Sequence, residues 1–206
     1  MSQEISSDFP KTRALLAFGA NIRSTIGGPA DTIIAAQGEL ARAGVVFERC
    51  SRLFATPCVP VGAGPDFVNS AAQVVTDLGP EALLALLHRI EAAFGRIRTE
   101  RWAARTLDID LIAWGDAVRP DAGTQTRWRE LAPEAQARCT PGGLILPHPR
   151  MQDRAFVLIP LAEVAGGWHH PVTGQSIAQM LDTLPDGDKD AVKPLDMPDM
   201  GANARL

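Results

Sequence analysis

Asp108 and Asp110 stand two residues apart in the run Thr106 to Trp114, TLDIDLIAW. In an extended strand, residues i and i+2 share a face, about 7 Å apart. Leu107, Ile109 and Leu111 then turn the other way, into a core. Two carboxylates at that distance repel by roughly 2 kcal/mol at an effective dielectric near 20, so a cation belongs between them. Mg²⁺ is commonly held by one or two carboxylates together with substrate phosphates. Taken alone, Asp-x-Asp equally describes the solvated face of an amphipathic strand. The residues upstream change the weighting. Arg96, Arg98, Arg101 and Arg105 bring four guanidinium groups within ten residues, and the planar guanidinium fork matches phosphate oxygens in bidentate fashion. A carboxylate pair beside an arginine cluster is what a nucleotide triphosphate requires, because its transfer reactions depend on positioning and charge neutralisation.

Other chemistries find less support. No Gly-Lys-Ser/Thr follows Gly19 or Gly27-Gly28 and no GxGxxG is present, so there is no familiar phosphate loop, and these glycines read as turn residues. Cys50, Cys58 and Cys139 have no neighbouring histidine, and no serine sits in a Gly-x-Ser-x-Gly elbow. His169-His170 beside Pro171 reads as a surface turn, and His88 as a structural or surface residue of a helix. His148, between Pro147 and Pro149, reads as a rigid exposed turn with a binding role left open. Phe67 and Asn69 share one strand face, where a flat heterocycle could stack and be hydrogen-bonded. Phenylalanine in a strand is as readily core.

The elements that must position these groups follow from periodicity. Arg13–Phe18 is an apolar run read as a buried strand, and Pro29–Ala43 a helix opened by proline and stopped by Gly44. Val45–Ala55 and Phe67–Thr76 read as strands. Pro80–Phe94 is the clearest helix, with Leu83, Leu84, Leu87, Ile90 and Phe94 on one stripe and Gly95 as its terminator. Thr106–Trp114 is a further strand. Gly115–Gly143 is too long for a simple loop and holds a short helix around Arg127–Arg138. Leu144–Leu146 is a short strand, and Ala155–Ala165 and Ser176–Leu184 are helices. Adjacent strands of this kind pair antiparallel, so the fold class is α+β, ferredoxin-like, with helices packed on a mainly antiparallel sheet. One domain is expected over 12–184, with an inserted segment 115–143 and a flexible tail 185–206.

Composition bounds the rest. A chain of 206 residues with 46% hydrophobic and 21% charged residues supports one core, burying about 70% of its unfolded surface. No run of eighteen apolar residues exists, and the opening Met1–Lys11 is polar, unlike a signal peptide. Three cysteines without CxxC spacing suggest reduced thiols and a cytoplasmic setting. The net charge of −4 argues against a nucleic-acid partner.

Beyond these physical readings, Arg101-Trp-Ala-Ala-Arg-Thr-Leu-Asp-Ile-Asp-Leu-Ile112 resembles the signature of the 6-hydroxymethyl-7,8-dihydropterin pyrophosphokinase family. Flanking pieces agree in order: Phe18-Gly-Ala-Asn21, Thr56-Pro57, Pro65–Ala71, Ile90-Glu91, Gly95–Arg98, Leu146-Pro-His-Pro-Arg150 and Arg154–Leu161. The resemblance implies a ferredoxin-like enzyme of folate biosynthesis; apart from it, a monomer is expected, with ATP and the pterin as small-molecule partners and no nucleic acid or membrane. The enzyme would transfer the β,γ-pyrophosphoryl group of ATP to the pterin hydroxymethyl oxygen, leaving AMP. It further implies that Asp108 and Asp110 hold two Mg²⁺ ions and that Arg96 and Arg105 clamp phosphates. Arg98, Arg101 and Trp102 would lie on a mobile loop closing over the site. Glu91, His148 and Arg154 would contact ATP. Phe67 and Phe156 would sandwich the pterin, with Asn69 and the stretch Thr56, Pro57 and Val59 reading its polar edge. Members of the family often carry Gly-Pro where this chain has Ala103-Ala104, and some have a tyrosine at the place of Phe67. Leu144–Leu146 is apolar where some carry polar ATP contacts, and 115–143 has no counterpart in the pattern. Two other readings stay open at this level: a Mg-dependent nucleotide transferase with a different acceptor, and a non-enzymatic RNA-binding module, which the charge and the scarcity of aromatic residues disfavour.

Overall fold

The structure, a computed structural model, describes residues 10–58, 62, 64–95, 106–132, 135 and 138–196. In chain order its elements are β1 (Thr12–Ala20), α1 (Pro29–Arg42), β2 (Val46–Cys50), β3 (Phe54–Thr56), β4 (Phe67–Thr76), α2 (Pro80–Ala93), β5 (Asp108–Trp114), α3 (Ala122–Arg129), α4 (Ala155–Ala165), α5 (Ile177–Asp182), α6 (Asp186–Asp190) and β6 (Lys193–Pro194). The strands form one antiparallel sheet in the order β5-β1-β4-β3-β6, with β2 also paired to β4. This is the ferredoxin-like α+β arrangement expected.

The central strand shows why its sequence is continuously apolar. Ala14, Leu16, Phe18 and Ala20 of β1 enter one core with Ile33, Ala36 and Leu40 of α1 and Leu83, Leu87 and Ile90 of α2. Leu15 and Ala17 enter a second core on the opposite face, against Val157, Leu158, Leu161 and Val164 of α4. A strand covered on both faces has no solvent side on which to carry polar residues. Both α1 and α2 open with proline directly after a glycine cap, where the missing proline N–H is no loss. Gly95 ends α2 at φ +83°, a conformation that glycine adopts without strain.

Four expectations are corrected. Val45–Ala55 is two strands, because Arg52 is drawn off by Glu163 of α4. The Arg52 amide donates to Oε2 at 2.9 Å, and its Nε and Nη2 donate to Oε1 at 2.8 and 2.6 Å. The helix in the inserted segment starts earlier, at α3, where Asp121 accepts the Thr124 amide at 2.9 Å. Leu144–Leu146 forms no strand; Leu146 makes an isolated bridge with Arg119. The stretch from 185 is not free as far as residue 196: it supplies α6, and β6 pairs with β3 while Val192 is buried against Phe54 and Ala155. Residues 197–206 lie outside the described part. Among the described residues no helix is long and apolar enough to cross a membrane, and Cys50, Cys58 and Cys139 form no disulfide.

Candidate active site

Strand parity assembles the site. On the α4 face of the sheet, α4 covers Leu15, Ala17 and Ala71. The next positions along the same strands are Gly19, Asn69 and Asp108, in register with one another: Gly19 pairs with Asn69 on one side and Asp108 on the other. Asp110 lies beside Ala17 in the adjacent row, and Phe67 and Thr56 are paired across β3 and β4. This end of the face, past the start of α4, is where the chain changes from apolar to polar residues. Leu107, Ile109 and Leu111 are buried on the other face, as expected, at 0, 2 and 3% exposure, and both aspartates keep partial access to solvent.

Glu91 holds the aspartate strand from behind. It is 1% exposed on α2, and its Oε1 accepts the Ile109 amide at 2.7 Å. The amide so bound lies between the two aspartates in sequence, so this side chain fixes the edge strand that carries them. Glu91→Leu is expected to strand that buried N–H. The loss is about 2 kcal/mol, read as a melting temperature lower by roughly 4–8 °C, with Glu91→Gln, which keeps an acceptor oxygen, much nearer the parent. A Glu91→Leu protein that melts like the parent but binds ATP poorly would instead make Glu91 a nucleotide contact.

At the other end of the aspartate pair, Arg154 Nη1 lies 3.7 Å from Asp110 Oδ2. The same guanidinium stands over the Phe156 ring, 5.7 Å from its centroid, a distance at which the ring face attracts a cation. Phe156, in the first turn of α4, is 40% exposed, a large apolar ring left open at the edge of the polar floor. His148 reaches the same place from the segment after the insertion. Its amide donates to Ile112 O at 2.8 Å, and its Nδ1 accepts the Arg150 amide at 3.2 Å. The neutral ring therefore carries its proton on Nε2. Burial pushes the His148 imidazole down to about 4; Asp110 acts to raise it, and Arg154 and Arg150 lower it further. The residue is half-buried, not the exposed turn read from its flanking prolines.

On the other side of Gly19, Asn69 is buried, and its Nδ2 donates to Thr56 Oγ1 at 2.7 Å. That bond fixes the amide, so Oδ1 is the acceptor turned toward Gly19, where a Cβ on residue 19 would lie 3.1 Å from it. Thus Asp108, Asp110, His148, Arg154 and Phe156 come together at one end, with Thr56, Phe67 and Asn69 across the strand from them. Pro57 is exposed beside Thr56. Val59, Arg96, Arg98, Arg101, Trp102 and Arg105 lie outside the described residues. Gly19 does not stand out in the sequence as a site position: it is no turn residue but an interior position of β1. The alternation Leu15, Ala17, Gly19 carries the signal. His170, read as a surface turn, is 1% exposed.

Among the described residues no three His, Cys, Asp or Glu side chains gather at one point. Two carboxylates such as Asp108 and Asp110, with phosphates and water completing the shell, are a donor set that suits Mg²⁺.

Residues 15–166 match the family model for 7,8-dihydro-6-hydroxymethylpterin-pyrophosphokinase. The chain belongs to this family. A 2-amino-4-hydroxy-6-hydroxymethyldihydropteridine pyrophosphokinase of Synechocystis is 39% identical over 186 residues, covering 86% of this chain and 80% of the relative. A pyrophosphokinase of the same name from Bacillus subtilis is 33% identical, covering 73% of this chain and 77% of its own length. Among solved structures, an HPPK-DHPS chain of Plasmodium falciparum with pteroate superimposes at a TM-score of 0.58 with 15% identity. That likeness spans 88% of this pyrophosphokinase-family chain and 44% of the larger one, and it shows the shared fold.

Proposed function

We propose that this chain carries out its pyrophosphokinase reaction with Mg²⁺ held by Asp108 and Asp110, passing the β,γ-pyrophosphoryl group of ATP to the hydroxymethyl oxygen and releasing AMP. Pyrophosphoryl transfer to hydroxymethyldihydropterin, in folate synthesis, is the function that family membership gives it. The observation that carries the residue-level reading is the row Asn69–Gly19–Asp108 on the uncovered end of the sheet. It sets a hydrogen-bonding amide and a carboxylate on either side of a position with no side chain.

Bound there, Mg²⁺ would neutralise the phosphate charge that grows as pyrophosphate is transferred. The chain's own residues do the rest. Asn69 Oδ1, locked by Thr56, accepts a pterin N–H, while Phe67 and Phe156 offer apolar rings to the flat heterocycle. Arg154 lies close enough to Asp110 to serve the phosphates beside it, and its stacking on Phe156 couples the two substrate subsites. His148 presents Nε2–H as a neutral donor to a phosphate oxygen, its low pKa keeping the ring uncharged near neutrality. Arg96, Arg98, Arg101 and Arg105 supply further cations, with Arg96 and Arg105 as the phosphate clamps; Trp102 completes the proposed nucleotide set, and Glu91 serves it from behind by holding the aspartate strand. Thr56, Pro57 and Val59 line the pterin edge.

Mixing protein, ATP and Mg²⁺ with 6-hydroxymethyl-7,8-dihydropterin is expected to give AMP and pterin diphosphate in equal amounts, and no AMP when the pterin is omitted. Chelation by EDTA is expected to stop turnover and added Mg²⁺ to restore it. ADP in place of AMP would overturn the transfer mode, and turnover unaffected by EDTA would overturn the metal.

A further inference from the structure

The inserted segment that follows β5 has a feature its composition does not explain. Its helix α3, AGTQTRWR, has no apolar stripe, and its one buried residue is Gln125, at 0% exposure. Helices normally dock by burying a hydrophobic face. Burying a lone amide is unfavourable unless its polar atoms find partners. Gln125 Nε2 makes one directed bond, donating to the Pro147 carbonyl at 3.3 Å; His170 Nε2 lies 3.3 Å away as a further donor, and Gln125 Oε1 is buried without a hydrogen-bond partner among the described residues. His170 is itself anchored, its Nδ1 accepting the Val172 and Thr173 amides at 3.1 and 3.3 Å.

The tie falls within a segment held at every step. Arg119, also in the insertion, donates its amide to Leu146 O at 2.9 Å and accepts the Leu146 amide at 3.2 Å. Pro147 O takes Gln125, and the His148 amide goes to Ile112 O at 2.8 Å. Two of these three consecutive residues are thus fixed by the insertion and the third by the aspartate strand. The His148 ring beyond them stands in the field of Asp110 and Arg154.

We propose that the inserted segment is a brace for the nucleotide subsite, and that Gln125 is a positioning residue that sets His148 against ATP through the Pro147 carbonyl. The proposal rests on the reading of His148 as an ATP contact. Gln125→Met keeps the side-chain length and loses the donor. It is expected to raise the Kd for α,β-methylene-ATP and the KM for ATP by about fivefold, the worth of one hydrogen bond. The KM for the pterin should stay within twofold. Asp121→Ala, which removes the α3 cap without touching the Pro147 segment, is expected to shift ATP in the same direction by a smaller factor, and it stands in if Gln125→Met does not fold. His148→Ala should weaken ATP at least as much, and the double variant Gln125→Met/His148→Ala should add nothing to it, the sign of a shared route. Ile33→Val, a core change in α1, serves as the control for plain destabilisation and should leave both KM values alone. Folded Gln125→Met and Asp121→Ala with parental ATP affinity, beside a weakened His148→Ala, would overturn the brace and leave the reaction intact. An unweakened His148→Ala would overturn it as well, by removing the residue it is meant to position, while AMP formation by the parent protein separately judges the pyrophosphokinase reading.

Discussion

Asp108→Ala and Asp110→Ala are each expected to lower kcat by roughly a thousandfold or more, on the scale of losing a group aimed at developing charge, with no loss of fold. Both side chains keep solvent access on the uncovered end of the sheet. The bond that fixes their strand, from the Ile109 amide to Glu91, runs to the opposite layer and survives either change. Removing one of two like charges relieves about 1–2 kcal/mol of repulsion, offset at Asp110 by the lost ion pair with Arg154, so thermal stability should change little. Asp110→Ala also removes the carboxylate 3.7 Å from Arg154 Nη1 and one of the two proposed metal ligands, so MgATP binding should weaken as catalysis fails. Steady-state kinetics at saturating Mg²⁺, together with a thermal melt, check both halves. Two folded variants that each keep parental turnover would refute the carboxylate pair as the metal holder.

The aspartates are legible because the strand announces itself: alternation over TLDIDLIAW sets Asp108 and Asp110 on one side and three apolar residues on the other, and the burial follows that pattern. The two helices of the first layer are legible for the same kind of reason, an apolar stripe at helical spacing between a proline start and a glycine stop. What local pattern misses is fixed by partners distant in sequence. Val45–Ala55 is rich in strand formers, yet Arg52 breaks it by binding Glu163, 111 residues away. His170 sits in a polar, proline-flanked context and is buried where α3, the Trp168 ring and the turn at Val172–Thr173 close on it. The stretch after Leu184 has the composition of a loose end, and docks because Val192 finds Phe54 and Ala155, and Leu195 the Leu53 carbonyl at 2.8 Å. Gly19 is the instructive case for the site. A glycine at the end of an apolar run reads as a turn, whereas its meaning lies in the residues that flank it across the sheet.

That meaning gives the second large effect. Gly19 lies in the extended backbone of β1, outside the set of glycines with positive φ, so the backbone itself accepts any residue there, and a β-branched one suits a strand better than glycine. The obstacle is Asn69. A Cβ on residue 19 would meet Asn69 Oδ1 at 3.1 Å, and Asn69 has little freedom to retreat, being buried and tied through Nδ2 to Thr56 at 2.7 Å. Gly19→Ala must displace the acceptor oxygen by a few tenths of an ångström, and is expected to raise the pterin KM about five- to tenfold, the worth of one misaligned hydrogen bond. Gly19→Val would stand in the gap between Asn69 and Asp108, where the hydroxymethyl group has to reach phosphorus. Activity is expected to fall by a hundredfold or more, since an ångström of misplacement costs on the order of 10² in rate. ATP affinity in both variants should stay within twofold, because the aspartates, His148 and Arg154 are untouched. The valine variant should also melt no lower than the parent by more than a few degrees, so the loss would fall on the pterin side of the reaction rather than on the fold. Titrating pterin and α,β-methylene-ATP separately against each variant decides the matter. Parental pterin affinity and turnover in folded Gly19→Val would mean that the pterin does not pass over this strand, and the row from Asn69 to Asp108 would lose its role as the floor of the site.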